Sequence, residues 1–167
     1  RPDVVSMAKA LGNGVPIGAC WARAEVAGVL QPGEHGTTYG GQPLAAAAAA
    51  AVLDVLERED APGRARRAGE RLRQALAALP AVSAVRGLGL LIAAELVDGR
   101  DAPTVAARAL AQGLVVNPVT PTALRFAPSL LITDDELDEA VAILAAVLGD
   151  GATSASPTPV STGGGAP

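Results

Sequence analysis

Lysine, histidine, cysteine, methionine, tryptophan, tyrosine and phenylalanine each occur once in these 167 residues. A single Cys20 excludes an internal disulfide framework and any multi-cysteine metal site. With His35 the sole imidazole, the ligands for a zinc centre are missing as well, and no metal is expected. Aromatic residues make up 2% of the chain against 50% hydrophobic residues, so the core must be aliphatic, built of Ala, Val and Leu. A basic excess is also missing. The net charge of −4 argues against a nucleic-acid partner, which calls for a cationic face. The longest strongly apolar run, Pro43 to Val55, is too short to cross a bilayer core of about 30 Å as a helix. No charged-then-apolar secretory pattern follows Arg1-Pro2-Asp3. A cytoplasmic protein without a membrane partner is expected. The chain opens without an initiator Met on residues that already read as structured, so truncation from a longer protein is expected too.

Local patterns give a coarse organisation. Val4 to Ala10 is short and apolar, and Leu11 to Gly18 is a Gly/Pro-rich turn region. Ala19 to Arg23 reads as a strand and Ala24 to Leu30 as one or two helical turns. Gln31 to Gln42 is a glycine-dense loop. Pro43 suits a first helical position, where a missing N–H costs nothing. From Leu44 a helix runs through seven alanines to about Arg58, and alanine allows close helix packing. Asp60-Ala61-Pro62-Gly63 reads as a break, and a second helix as Arg64 to Leu79. Its arginines read as a solvated amphipathic face. Beyond Pro80, Val82–Val85 and Leu88–Leu96 read as strands around a turn at Arg86-Gly87. Ala102 to Gln112 reads as a helix closed by Gly113. Leu114–Asn117 and Ala123–Phe126 read as short strands. Thr133 and Glu136 have capping-box spacing for a last helix that ends at Gly149. Residues 150–167, poor in bulky side chains, read as a disordered tail. The division expected is 1–60, a connecting helix 61–79, a small α+β domain 80–149, and the tail.

Three places have the residue types for chemistry. Lys9 is the one lysine among thirteen basic side chains. Guanidinium stays protonated and cannot serve as an amine nucleophile, whereas a desolvated lysine can. Lys9 sits between an apolar segment and a glycine turn, where a ligand can approach the backbone. The plainer reading is a surface charge. His35-Gly36-Thr37-Thr38-Tyr39-Gly40-Gly41 sets two threonine hydroxyls before a helix start, which suits a phosphate. It also suits a helix-capping loop. Arg125 lies on an apolar strand, so it needs either an internal salt bridge or a ligand carboxylate.

Taken together and in order, four segments resemble the class-III aminotransferases, a fold-type-I family dependent on pyridoxal 5'-phosphate (PLP). They are Pro2 to Gly18, similar to the family's Schiff-base lysine segment, and His35 to Pro43, similar to its phosphate loop. Val85-Arg86-Gly87-Leu88-Gly89-Leu90 and Leu124-Arg125-Phe126-Ala127-Pro128 are similar to its small-domain and carboxylate-binding strands. The wording at Pro32 to Thr38 is most similar to the acetylornithine branch. The ornithine, 4-aminobutyrate and diaminobutyrate branches share most of these motifs.

The resemblance implies an α/β and α+β architecture: the end of a fold-type-I large domain followed by a small C-terminal α+β domain. It implies transfer of an amino group from N2-acetylornithine, or a similar ω-amino donor, to 2-oxoglutarate in arginine biosynthesis. Lys9 would be the catalytic, PLP-binding lysine. Thr38 would bind the PLP phosphate across a homodimer interface, Thr37 would contact substrate there, and Arg125 would bind a substrate carboxylate. Arg86 would support the fold. Gln42 departs from the family's usual Asn. The family's pyridine-nitrogen aspartate, ring-stacking aromatic and first phosphate loop precede the lysine and have no counterpart in this chain. The isolated chain is therefore expected to be inactive. A binding or dimerisation module, a helical interaction protein, or a racemase or aminomutase on the same scaffold are the competing expectations.

Overall fold

A computed structural model of the chain describes residues 1–97 and 99–149. The expected disordered tail lies outside them. The chain forms two compact units, Arg1–Arg64 and a second beginning at Ala65.

The first unit opens with an antiparallel pair, β1 (Val4–Met7) and β2 (Ala19–Ala22), in which Val4 faces Ala22 and Met7 faces Ala19. An Arg23–Asp3 ion pair at 3.0 Å closes one end. The other end leads into a single 3-10 turn, Lys9–Leu11. One short helix, α1 (Ala24–Ala27), and one long one, α2 (Pro43–Arg58), complete the unit. Pro43 does occupy the first turn of α2. Ala45 and Ala49, one helical turn apart, are the buried residues of α2, and the helix packs against the 3-10 turn. Alanine at this spacing allows close backbone approach.

Helix α3 (Ala61–Ala77) begins three residues before the start read from the sequence. Pro62 lies in its first turn, where no N–H is needed. The Gly63 N–H donates to the Asp60 carboxylate at 3.2 Å. A Cβ on Gly63 would sit 1.9 Å from that carboxylate, so this glycine admits the cap rather than breaking the helix.

The second unit is a four-stranded antiparallel sheet, ordered β3 (Val82–Leu88), β4 (Leu91–Leu96), β6 (Ala123–Phe126), β5 (Asn117–Pro118). Helices α3, α4 (Ala102–Ala111) and α5 (Asp134–Gly149) contribute with one face of this sheet to a single aliphatic core. Leu72, Leu76, Ile92, Leu124, Leu137, Leu144 and Val147 are its largest fully buried members. Strand period two decides which residues join it: Ile92, Ala94 and Leu96 are buried, whereas Leu91, Ala93 and Glu95 point to the other face. A sheet with helices on one side is the α+β arrangement expected.

Two local expectations need correction. The hairpin turn is at Gly89-Leu90, not Arg86-Gly87, because Leu88 pairs with Leu91. Gly89 alone of the two central residues has positive φ, 55°, the pattern of a glycine-first hairpin turn. The strand read at Leu114–Asn117 is displaced to Asn117–Pro118. Gly113, at φ 90°, ends α4, and the Leu114 N–H then bonds back to the Ala109 carbonyl, which delays the strand.

The capping box at α5 forms as read. The Glu136 N–H donates to the Thr133 hydroxyl at 3.3 Å, and the Thr133 N–H donates to the Glu136 carboxylate at 2.8 Å. Thr133→Ala is expected to lower stability by about 1 kcal/mol, read from the urea midpoint by circular dichroism. The hydrogen bonds from the Thr133 backbone and hydroxyl also hold the Glu136 carboxyl below its ordinary range. Because the folded value is the lower one, this stabilisation is present above the ordinary glutamate range. It is lost as pH falls through the folded value. Glu136→Gln should flatten the acid limb of a stability–pH profile; an unchanged limb would remove Glu136 from the account of acid sensitivity.

Candidate active site

In the first unit, β1 delivers the chain to Lys9 and the glycine segment after it folds tightly. Leu11, Gly12 and Asn13 N–H groups bond back to the Ala8, Lys9 and Ala10 carbonyls. Gly12 is required there, because a Cβ would meet the Val15 carbonyl oxygen at 2.1 Å. Lys9 itself has φ 54°, a left-handed conformation that costs a non-glycine residue about 1 kcal/mol. Strain of this kind collects at functional sites. The Lys9 side chain is exposed and makes no hydrogen bond or ion pair among the described residues. Its amine is therefore uncommitted.

The loop Gln31 to Gln42 is exposed throughout. Glu34 ties its first turn by accepting from the Gln31 N–H at 2.7 Å. Gly40 lies against Thr37, whose Cγ2 would be 2.2 Å from an added Cβ, and Gly41 has φ 70°. These glycines let the chain fold over Thr37 before α2 begins. The Thr37 and Thr38 hydroxyls make no hydrogen bond among the described residues. Lys9 and the loop share this unit through α2, which follows the loop and packs against the Lys9 turn. No hydrogen bond joins Lys9 to Thr37 or Thr38.

Arg125 belongs to the second unit. Alternation along β6 buries Leu124 and Phe126 and turns Arg125 outward, onto the sheet face away from the core. It pairs in register with Ala93 on β4 and Asn117 on β5, and Ala93 pairs in turn with Arg86 on β3. One row across the open face is thus Arg86, Ala93, Arg125, Asn117. Among the described residues Arg125 has no ion pair, so the internal salt bridge weighed from the sequence is not seen there. Arg86 does have one: its Nη1 lies 2.8 Å from Glu95 Oε2. The other Glu95 oxygen, Oε1, accepts from the Thr122 hydroxyl in a short hydrogen bond. The Thr122 hydroxyl first, and Arg86 second, hold the Glu95 carboxyl below its ordinary range.

Glu95 and Thr122 were not singled out from the sequence. Glu95 could have been found by the argument that found Arg125, because a lone charge in the apolar run Leu90 to Leu96 needs a partner. Thr122 gives no such signal, since its role depends on β6 lying beside β4. Elsewhere the described residues contain no cluster of three or more His, Cys, Asp or Glu side chains able to hold a metal. No helix among them is long and apolar enough to cross a membrane.

Within the first unit, the exposed Lys9 amine and the Thr37 and Thr38 hydroxyls before a helix N-terminus suit a phosphate-bearing aldehyde. Within the second unit, the exposed Arg125 guanidinium suits a carboxylate.

The comparisons agree with the motifs. The sequence pattern of the family described as "Aminotransferase class-III" matches residues 1–148. The chain is 46% identical over 149 residues to the acetylornithine aminotransferase of Corynebacterium efficiens, covering 89% of this chain and 37% of that protein. It is 45% identical over 148 residues to acetylornithine aminotransferase 1 of Bordetella pertussis, covering 86% and 37%. Among solved structures, an ornithine aminotransferase from Toxoplasma gondii, described with partial PLP occupancy at its active site, superposes with TM-score 0.81 at 37% identity. That match covers 89% of this chain and 37% of the other. An acetylornithine aminotransferase from Elizabethkingia anophelis gives TM-score 0.81 at 34% identity, covering 90% and 41%. The chain thus spans a little over a third of the length of these relatives. With the family pattern running from Arg1 through α5 and the fold of solved members matched, the chain belongs to the class-III aminotransferases.

Proposed function

We propose that this chain is the C-terminal portion of a PLP-dependent aminotransferase that moves an amino group from N2-acetylornithine, or a similar ω-amino donor, to 2-oxoglutarate in arginine biosynthesis. Residues 1–60 then end the PLP-binding domain, 61–79 connect, and 80–149 form the small domain. The observation that carries the reading is Lys9. It is the chain's only lysine, uncommitted, and held in a left-handed turn inside the segment the family pattern matches. The acetylornithine assignment is supported by relatives of that name at 45–46% identity.

Each residue has a definite task in this reading. Lys9 would hold the cofactor through Nζ, and its amine would carry a proton to and from the substrate carbon. When bound, PLP supplies the electron sink for that carbon. Thr38 donates its hydroxyl to the cofactor phosphate and Thr37 contacts substrate. In the homodimer proposed for the full-length protein, these two residues serve the partner's site. Arg125 grips a substrate carboxylate, for which its planar fork is suited.

Donor competition in the full-length context tests the proposal. With 2-oxoglutarate as acceptor, glutamate should form fastest from N2-acetylornithine and more slowly from ornithine, 4-aminobutyrate or diaminobutyrate. A preference for one of the others moves the protein to that branch. Isomerised or racemised donor without glutamate would replace the aminotransferase reading altogether. Arg125→Lys keeps the charge but loses the bidentate fork. It is expected to raise KM for 2-oxoglutarate roughly tenfold, in the range of a charge-assisted hydrogen bond.

A further inference from the structure

Glu95 lies between two arginines. On the open sheet face its residue pairs are Ala84 on β3 and Ala123 on β6. Two residues along β4, Ala93 is flanked by Arg86 on one side and Arg125 on the other. Arg86 and Arg125 therefore both occupy register positions diagonal to Glu95, and long side chains span such diagonals. The Arg86–Glu95 pair at 2.8 Å shows that this distance can be bridged here. Ala93, between the arginines, offers no side chain to block the second diagonal. Yet Glu95 is fully committed elsewhere, with Oε2 on Arg86 and Oε1 on Thr122.

We propose that Arg86 and Thr122 are positioning residues that occupy both oxygens of Glu95 and so keep Arg125 free for an incoming carboxylate. A carboxylate on a diagonal of Arg125 would otherwise compete with the ligand for the same fork. The device replaces one internal pair, Arg125–Glu95, by another, Arg86–Glu95. It costs little net charge stabilisation and leaves the guanidinium on the middle strand uncommitted. This inference rests on the reading of Arg125 as a carboxylate site, and its test separates the two.

The probe is the arginine Nε–Hε signal of Arg125, followed by NMR in the full 167-residue chain, first without ligand and then titrated with glutarate. In the unsubstituted chain the Arg125 guanidinium should rotate freely and bind glutarate. In Arg86→Gln, Glu95 should turn to Arg125, slowing guanidinium rotation before any ligand is added. Glutarate affinity should then fall roughly threefold, within the range an exposed ion pair can impose. The double variant Arg86→Gln/Glu95→Gln should restore both readouts, which a mere loss of structure would not allow. Thr122→Val, which releases only Oε1, should move both in the same direction by less and serves if Arg86→Gln does not fold. Unchanged rotation in Arg86→Gln and Thr122→Val overturns the partition. Free rotation without any response to glutarate in the unsubstituted chain instead overturns Arg125 as a carboxylate site, and the ligand-free comparison still decides the partition.

Discussion

Incubation of the chain with PLP followed by borohydride is expected to leave one pyridoxyl group on the Lys9 peptide, and Lys9→Arg is expected to leave none there. The substitution preserves charge and approximate length, so it isolates nucleophilicity. A guanidinium keeps its proton at any accessible pH, whereas an amine releases one and can bond to the aldehyde carbon with loss of water. Since no other lysine exists, the side-chain background is absent, and only the terminal amine of Arg1 can react in competition. Peptide mapping by mass spectrometry separates the two. The effect should be all-or-none at Lys9, whereas Thr37→Ala and Arg125→Lys, at residues proposed to contact substrate, should leave the label in place. In the full-length homodimer, Thr38→Ala should weaken PLP retention without abolishing it, because the covalent attachment at Lys9 remains. Equal labelling of the Arg1 and Lys9 peptides in the unsubstituted chain would show that the left-handed turn gives Lys9 no advantage as a nucleophile.

The contrast between Lys9 and Arg125 explains what was legible in the sequence. Motifs carried by consecutive residues could be read directly. The Lys9 segment, the threonine loop, the Pro43 helix start and the Thr133–Glu136 box all depend on neighbours within a few positions. The sequence Leu124-Arg125-Phe126 likewise marked Arg125 as a charge on an apolar strand. Relations between strands could not be read that way. Which residue faces Arg125 depends on β6 docking beside β4 at one register, and no local pattern encodes that distance. For that reason Thr122 escaped notice, and Glu95 could be read only as a charge in need of a partner, not as a neighbour of Arg125. Glycine misled in two places for a shared reason. At Gly63 and Gly87 the missing side chain was read as a break or a turn. In both it makes room for a close approach, to the Asp60 cap in one case and to the β4 backbone in the other.

Gly87→Ala should be among the most destabilising single-atom additions to the second unit. Gly87 lies inside β3, opposite Ile92, with φ 144°. A Cβ there would lie 2.1 Å from the Leu91 carbonyl oxygen and 2.8 Å from the Ile92 Cα. Both obstacles are backbone of the paired strand, so no side-chain rotation can relieve them. Overpacking of this kind costs about 1–3 kcal/mol. Forcing a side chain into that backbone region costs about 1–3 kcal/mol more. A loss of roughly 2–6 kcal/mol follows, against a typical total of about 5–15 kcal/mol for a domain. The strand can escape only by shifting register or opening the hairpin. Either movement displaces Arg86 from the diagonal of Glu95. Stability and the free state of Arg125 should therefore fail together, and amide exchange along β3 and β4 should accelerate before that of α5. Gly36→Ala is the control: nothing lies within 4 Å of its added Cβ, and stability should change by less than about 0.5 kcal/mol. If Gly87→Ala were as mild as the control, the β3–β4 register and the row joining Arg86 to Arg125 would both need to be redrawn.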